Sequence, residues 1–404
     1  MKRYRCRWFY PGDSPPLSDI SFSVSGQRIE DIAAGDAEAS DLGNVAVIPG
    51  LINAHTHLEF SSRSTPLEPL RSFCDWIRGV IRWKISQPDQ NHPVISQGLA
   101  ESVRSGSTVV GEIATRDWRT ERDWSEIDSP QHVVMFREFL GLDLSSISAS
   151  LDIAEKFLSA ESPPHIRAAI SPHAPYSTHP ELIARLAQLA ESHNVPLAFH
   201  LAESPEEIEL LRNGTGPFKK MLSDLNIDSG NIFASRKTPI DYLKLVDVSS
   251  PVLVIHGNYL SDEEFEFLSK RENFSVVYCP RTHASMQTGQ HPWQQMIERG
   301  IKVAIGTDSR ASNPDLSVFK ELAFIHSKNP NTASSSLLRL ATVNAAQALG
   351  QHDSGRLTAG GIASLCVVPL SEASGSDPER HLFDDPNSEL GVMQHGEWIV
   401  PVNR

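Results

Sequence analysis

The chain has 404 residues, 40% of them hydrophobic, and a formal net charge of −14. That length can bury a large core and hold more than one domain, and an acidic balance without a basic stripe excludes nucleic acid as a bulk partner. No apolar run reaches the roughly 18 residues of a membrane span. The start of the chain shows no apolar signal region, and the 4 cysteines form no CxxC pair. These features read as a cytoplasmic protein without a disulfide framework, whose partner is a small-molecule substrate and neither nucleic acid nor membrane; assembly as a homo-oligomer stays open.

Residues 1–48 alternate polar and apolar, with turn signals at Pro11-Gly12-Asp13 and Ser25-Gly26. The apolar run Val45–Ile48 then leads through Gly50-Leu51-Ile52-Asn53-Ala54 into His55-Thr56-His57. Alternate residues of a strand share a face, so these two imidazoles can share one metal ion. Helical patterns follow near Phe73–Trp83 and Val94–Arg104, then strands at Thr108–Ile113, His132–Gly141 and Ile166–Ser171. The last of these runs into Pro172-His173. A helix at Pro180–His193 precedes the run Val195–Phe199, which ends in His200-Leu201-Ala202-Glu203. Helices at Pro205–Asn213 and Pro217–Leu225 precede the run Val252–Ile255, which ends in His256. Ser261–Arg271 reads as a helix with Ser261 as N-cap, Phe274–Cys279 as a strand and Trp293–Arg299 as a helix. The run Val303–Thr307 ends in Asp308, and helices at Leu316–Ser327 and Ser335–Leu349 close the series. The β pattern returns in residues 356–404, at Ser364–Pro369 and Gly396–Pro401, with the acidic stretch Ser371–Ser388 as a surface loop.

Short apolar runs between turn signals read as strands buried on both faces, and four of them end in a polar group. About eight strands with intervening helices predict a (β/α)₈ TIM-type barrel with its site at the C-terminal face. The expected organisation is a barrel at 49–355 flanked by a small composite β-sandwich domain built from 1–48 and 356–404.

His55, His57, His200 and Asp308 form a ligand set of three nitrogens and one oxygen, suited to Zn²⁺, with Fe²⁺ as the alternative. Such an ion lowers the pKa of water from about 15.7 to about 7. Glu203 can take a proton from that water and pass it to the substrate, and His256 can stabilise the oxygen developing at the attacked carbon. Taken alone, Glu203 could equally be an acid at the start of the following helix. His173 should face the same cavity as a substrate contact, its alternative being a loop histidine that caps the Pro180 helix. A second metal in such sites usually has a bridging carboxylated lysine, and Ile166–Ser171 has none. One divalent ion per chain is therefore expected. Trp76 and Trp83 suit core or lid packing, and one of them could stack on a planar ring.

Val47-Ile48-Pro49-Gly50, the His55/His57 pair, His200 to Glu203, His256-Gly257 and Gly306-Thr307-Asp308-Ser309 together resemble the amidohydrolase superfamily over nearly the whole chain. Within it they resemble the cytosine-deaminase-like and chlorohydrolase-like branch. The resemblance implies the same four metal ligands, Glu203 as proton shuttle with His256 as its partner, an assisting role for Asp308 toward the water, and the flanking β domain. Ser171–Ser177 is similar to a stretch in members that deaminate adenosine-type compounds. His57-Leu58-Glu59-Phe60-Ser61, with Phe73 and Asp75-Trp76, is similar to aminofutalosine deaminases. Three positions differ: Trp76–Lys84 lacks the glutamate that related nucleoside deaminases use for ribose hydroxyls, Thr282-His283 stands where Ser-Asn is usual, and Ala363-Ser364 replaces Ala-Asp. Arg78, Arg82, Arg137, Glu138, His283 and Arg310 are candidate specificity residues; with His173 and Trp76, the substrate contacts singled out are Arg137, His283 and Arg310. The expected enzyme is a metal-dependent amidohydrolase of C–N bonds other than peptide bonds. It would deaminate an amino-substituted heteroaromatic ring, nucleoside-like or nucleobase-like, by hydroxide attack. The alternatives are cleavage of a cyclic amide or of a chloro-triazine, and a non-catalytic barrel scaffold, which would be expected to lack some of these groups.

Overall fold

Strands wrapped by helices must be apolar on both faces. Leu197–Leu201, Val252–His256 and Phe274–Tyr278 are buried at every residue, and so is Ser107–Ala114. The computed structural model describes residues 1–68, 72–87, 91–120, 129–286, 289–371 and 377–402. In it, Leu51–His57, Ser107–Ala114, His132–Phe139, Ile166–Pro172, Leu197–Leu201, Val252–His256, Phe274–Tyr278 and Lys302–Ile305 pair in chain order, all parallel. The short strand Asp308–Ser309 pairs with the first of them, Asp308 opposite Thr56 and Ser309 opposite His57, and so closes the barrel.

The period of two sorts the side chains into two layers. Val134, Phe136, Ala169, Ala198, Ile255 and Val277 fill the interior. Val133, Met135, Ile170, Phe199, Val254 and Val276 face outward onto the helices. The first strand breaks this alternation. Counting on from Ile52 and Ala54, which point inward, would turn His55 and His57 outward. A register irregularity between Asn53 and Thr56 resets the count, and both imidazoles reach the site.

Strands from both ends of the chain make a second, eight-stranded mixed sheet. Lys2–Phe9, Leu17–Ser25, Arg28–Ala34, the short Ser40–Asp41 and Val45–Pro49 join Leu365–Pro369, Gly391–Gln394 and Glu397–Val400. The sheet folds over a core of Phe9, Phe22, Val47, Leu365 and Met393, and Trp398 Nε1 donates to the Tyr4 hydroxyl at 3.1 Å. Val45–Pro49 is separated from the first barrel strand by Gly50 alone, where an added Cβ would lie 2.4 Å from Thr108 Oγ1. The terminal sheet thus fixes the strand that carries His55 and His57. Among the described residues, no helix is long and apolar enough to cross a membrane.

Candidate active site

The barrel gathers the strand-end residues at one point. The ligand atoms of His55, His57 and Asp308 lie within 4.8 Å of one another, as do those of His55, His200 and His256. His55 Nε2 and His57 Nε2 each stand 3.7 Å from Asp308 Oδ1. His55 is fully buried, yet neither ring nitrogen makes a protein hydrogen bond. A buried imidazole without partners, facing a carboxylate and two more imidazoles, fits a divalent cation.

The surroundings aim these candidate ligands. His200 Nδ1 donates to the His173 carbonyl at 3.0 Å, which leaves Nε2 with its lone pair toward the site. Ser312 Oγ donates to Asp308 Oδ2 at 2.7 Å. The Glu112 carboxylate accepts from Leu58 N at 2.8 Å, pinning the backbone just beyond His57. Glu203 sits where the chain leaves its strand, and the turn is held by Glu207, whose carboxylate accepts from Ala202 N at 3.0 Å and Glu203 N at 2.8 Å. His291 Nε2 donates to the His256 carbonyl at 2.9 Å. Ala202, His256 and Asp308 have φ of 54°, 66° and 57°, left-handed backbone that non-glycine residues seldom adopt. At His256 this turn re-aims a side chain that plain alternation after Ile255 would point outward. Strain of this kind persists where the surrounding structure holds it, and it concentrates at functional sites.

Glu203 Oε1 lies 3.3 Å from His256 Nε2. Burial, then the charges of Asp308 and Glu207, pushes the Glu203 carboxyl well above the usual carboxylate range. Burial brings His256 and His173 down to about 3, so both rings are neutral. Burial works to raise Asp308 as well, but the histidines around it hold it below its ordinary value. The site therefore pairs a carboxylate that stays ionised with one that readily keeps a proton, the division acid–base chemistry requires.

A cavity of about 560 Å³ opens above these residues. Phe60, Phe73, Trp76, Ile77, Leu142 and Met221 give it mainly apolar walls, and His57, His173, His200, Glu203, His256 and Asp308 form its reactive end. Trp76 is thus at the cavity, stacked on Phe73 with its indole N–H on the Ala311 carbonyl. His173 is there too, with Nδ1 2.6 Å from Ser177 Oγ; the cap of the Pro180 helix is His179 instead. Arg137, His283 and Arg310 are absent from the lining. Arg137 has the outward parity of Val133 and Met135, and its guanidinium bonds the Ala114 carbonyl. Arg310 bonds the Arg63 carbonyl and Glu101, and His283 packs edge-on against Tyr278 and His291. Ser312 and Glu207 were not anticipated. Glu207 could have been found as the carboxylate three residues into a helix capped by Ser204; nothing in the sequence marks Ser312.

The sequence pattern of the amidohydrolase family matches residues 46–399. A 5-methylthioadenosine/S-adenosylhomocysteine deaminase of Nitratidesulfovibrio vulgaris is 31% identical, over 95% of this chain and 84% of its own. A 5′-deoxyadenosine deaminase of Methanococcus aeolicus is 27% identical, over 85% of this chain and 78% of its own. The crystal structure of Helicobacter pylori aminofutalosine deaminase in complex with methylthio-coformycin has the same fold, with a TM-score of 0.84 at 22% identity, covering 99% of this chain and 100% of that one. A zinc-complexed atrazine chlorohydrolase of Arthrobacter aurescens follows at 0.79 and 22% identity, covering 99% and 95%. With the match spanning both the barrel and strands of the terminal sheet, the chain belongs to the amidohydrolase family.

Proposed function

We propose that this chain is a metal-dependent aminohydrolase that releases ammonia from the adenine ring of a nucleoside. The observation that carries the reading is the Glu203–His256 pair, 3.3 Å apart, set beside the clustered side chains of His55, His57, His200 and Asp308 at the end of an apolar cavity. The relatives named as deaminases of adenosine-type compounds support amine over halide as the leaving group.

His55, His57, His200 and Asp308 would hold one divalent ion, Zn²⁺ in the first instance. Bound there, the ion would supply Lewis-acid activation of water, whose pKa it brings to about 7. Glu203 would accept a proton from the water at its carboxylate and deliver it to the ring nitrogen beside the amine-bearing carbon. His256 would hydrogen-bond the oxygen that forms at that carbon, and Asp308 would take the remaining proton toward the leaving amine. Water and substrate become the oxo compound and ammonia. His173 would hold the far side of the ring, with Trp76 and Phe73 among the apolar walls that exclude bulk water.

The test is ammonia release from adenosine, 5′-deoxyadenosine and 5′-methylthioadenosine by zinc-loaded protein, with a chloro-triazine in parallel. Turnover of at least one nucleoside is expected. Chloride release without ammonia would replace the reading.

A further inference from the structure

We propose that Glu138 is the residue that selects a hydroxyl-bearing sugar in this cavity, accepting hydrogen bonds from the substrate's hydroxyls. This rests on the aminohydrolase reading above. Glu138 has the inward parity of Val134 and Phe136 on its strand and lines the cavity. It is 7% exposed, and its Oε1 is buried without a hydrogen-bond partner. A buried carboxylate oxygen left unpaired is costly, so its presence in a binding cavity points to a ligand donor.

The neighbouring polar groups are already engaged. Lys84 Nζ and Thr115 Oγ1 both bond Glu59, at 2.7 and 2.9 Å. Ser177 Oγ is shared between His173 and the Ala174 carbonyl. Glu138 Oε1 faces His173 Nε2 at 3.9 Å, too far for a bond and suited to a ligand that reaches both. Across the barrel, His200, His173 and Glu138 come from successive strands, with the first two rings 5.0 Å apart. Glu138, His173 and His200 also offer ligand atoms within 4.8 Å of one another, so Glu138 is within reach of a substrate held by His173. A carboxylate there meets two adjacent hydroxyls as an acceptor for both.

Glu138→Gln and Glu138→Ala, both checked for metal content and melting temperature, are compared with wild type on adenosine and on 2′,3′-dideoxyadenosine. Binding of inosine and 2′,3′-dideoxyinosine by calorimetry gives a readout independent of turnover. Wild type should prefer the diol compounds by about 10- to 100-fold, and Glu138→Ala should abolish that preference by losing far more on the diol compounds than on the dideoxy ones. Glu138→Gln should lose an intermediate part of it. An equal loss on both nucleosides would make Glu138 structural and overturn the inference, as would an unchanged preference. A second metal equivalent in wild type that Glu138→Ala lacks would make it a metal ligand and overturn it too. If wild type releases ammonia from no adenine nucleoside, the underlying reading falls and this inference with it; nucleoside turnover without the discrimination removes this inference alone.

Discussion

Glu203→Gln keeps the shape of the side chain and removes its capacity to carry a proton. It should retain the metal and the fold and lose kcat by on the order of 10²-fold or more. Metal analysis beside steady-state kinetics checks this, and near-normal kcat would take Glu203 out of the mechanism. Ser312 touches no substrate in this reading; it holds Asp308 Oδ2 at 2.7 Å. Ser312→Ala should weaken metal affinity or activity by about 10- to 100-fold, the usual cost of losing a group that orients a ligand. A chelator titration would show it as zinc lost at lower chelator concentration. His173→Ala should leave metal content intact and raise KM, a loss of roughly 0.5–1.5 kcal/mol for one hydrogen bond to a neutral group. Metal loss in that variant would reopen a two-metal site.

Gly306 lies in the loop that brings Asp308 under the first strand, and an added Cβ there would stand 2.8 Å from both the Cβ and the carbonyl oxygen of His55. Gly306→Ala should therefore destabilise the protein by about 1–3 kcal/mol, as overpacking does, and displace a ligand strand at the same time. Lower melting temperature together with substoichiometric zinc is the expected pair of results; a normal metal content would show that the strand gives way elsewhere. The elements that carry the site were legible because each is a short apolar run ending in a polar residue, as at Phe199-His200 and Ile305 to Asp308. What escaped was set by contacts distant in sequence or by a face not counted. Arg137 and Glu138 are neighbours, and carrying the alternation of Val134 and Phe136 forward selects Glu138. Arg310 follows a strand end as a substrate contact might, but its partners Arg63 and Glu101 lie far back in the chain. The helix expected at Ser335–Leu349 is two helices, Ser334–Leu340 and Val343–Ala348, broken at Thr342, whose hydroxyl bonds the Leu338 carbonyl. Helices Ile147–Ser159 and Pro239–Leu245 were not anticipated, although the second opens on a Thr238/Asp241 capping box that was there to read.

Barrel and terminal sheet meet at a histidine pair, His132 Nε2 to His395 Nε2 at 3.1 Å. Burial, then the charges of His395 and His165, lowers the His132 pKa, and burial lowers that of His395. In the unfolded chain both titrate near about 6.5. Below that pH the unfolded state binds protons that the folded state refuses, so stability rises with pH through this window. The contribution is complete above about pH 6.5 and is lost as acid is added. Melting temperature measured from about pH 7.5 down to about 5.5 should fall less steeply for metal-loaded His395→Gln than for metal-loaded wild type. Parallel slopes would show that the pair carries no part of the acid sensitivity.

The position of Val45–Pro49, between Lys2–Phe9 and Leu365–Pro369, has a consequence for biosynthesis. At ribosomal speed the second partner emerges on the order of tens of seconds after the first. For that time the nascent chain carries an unpaired strand edge, a template for wrong pairing that favours chaperone engagement. His55 and His57 follow directly on that strand, and Asp308 is itself made late. Loading of the proposed ion is thus a late event in the life of the polypeptide, tied to completion of the chain and not to the appearance of its first two ligands.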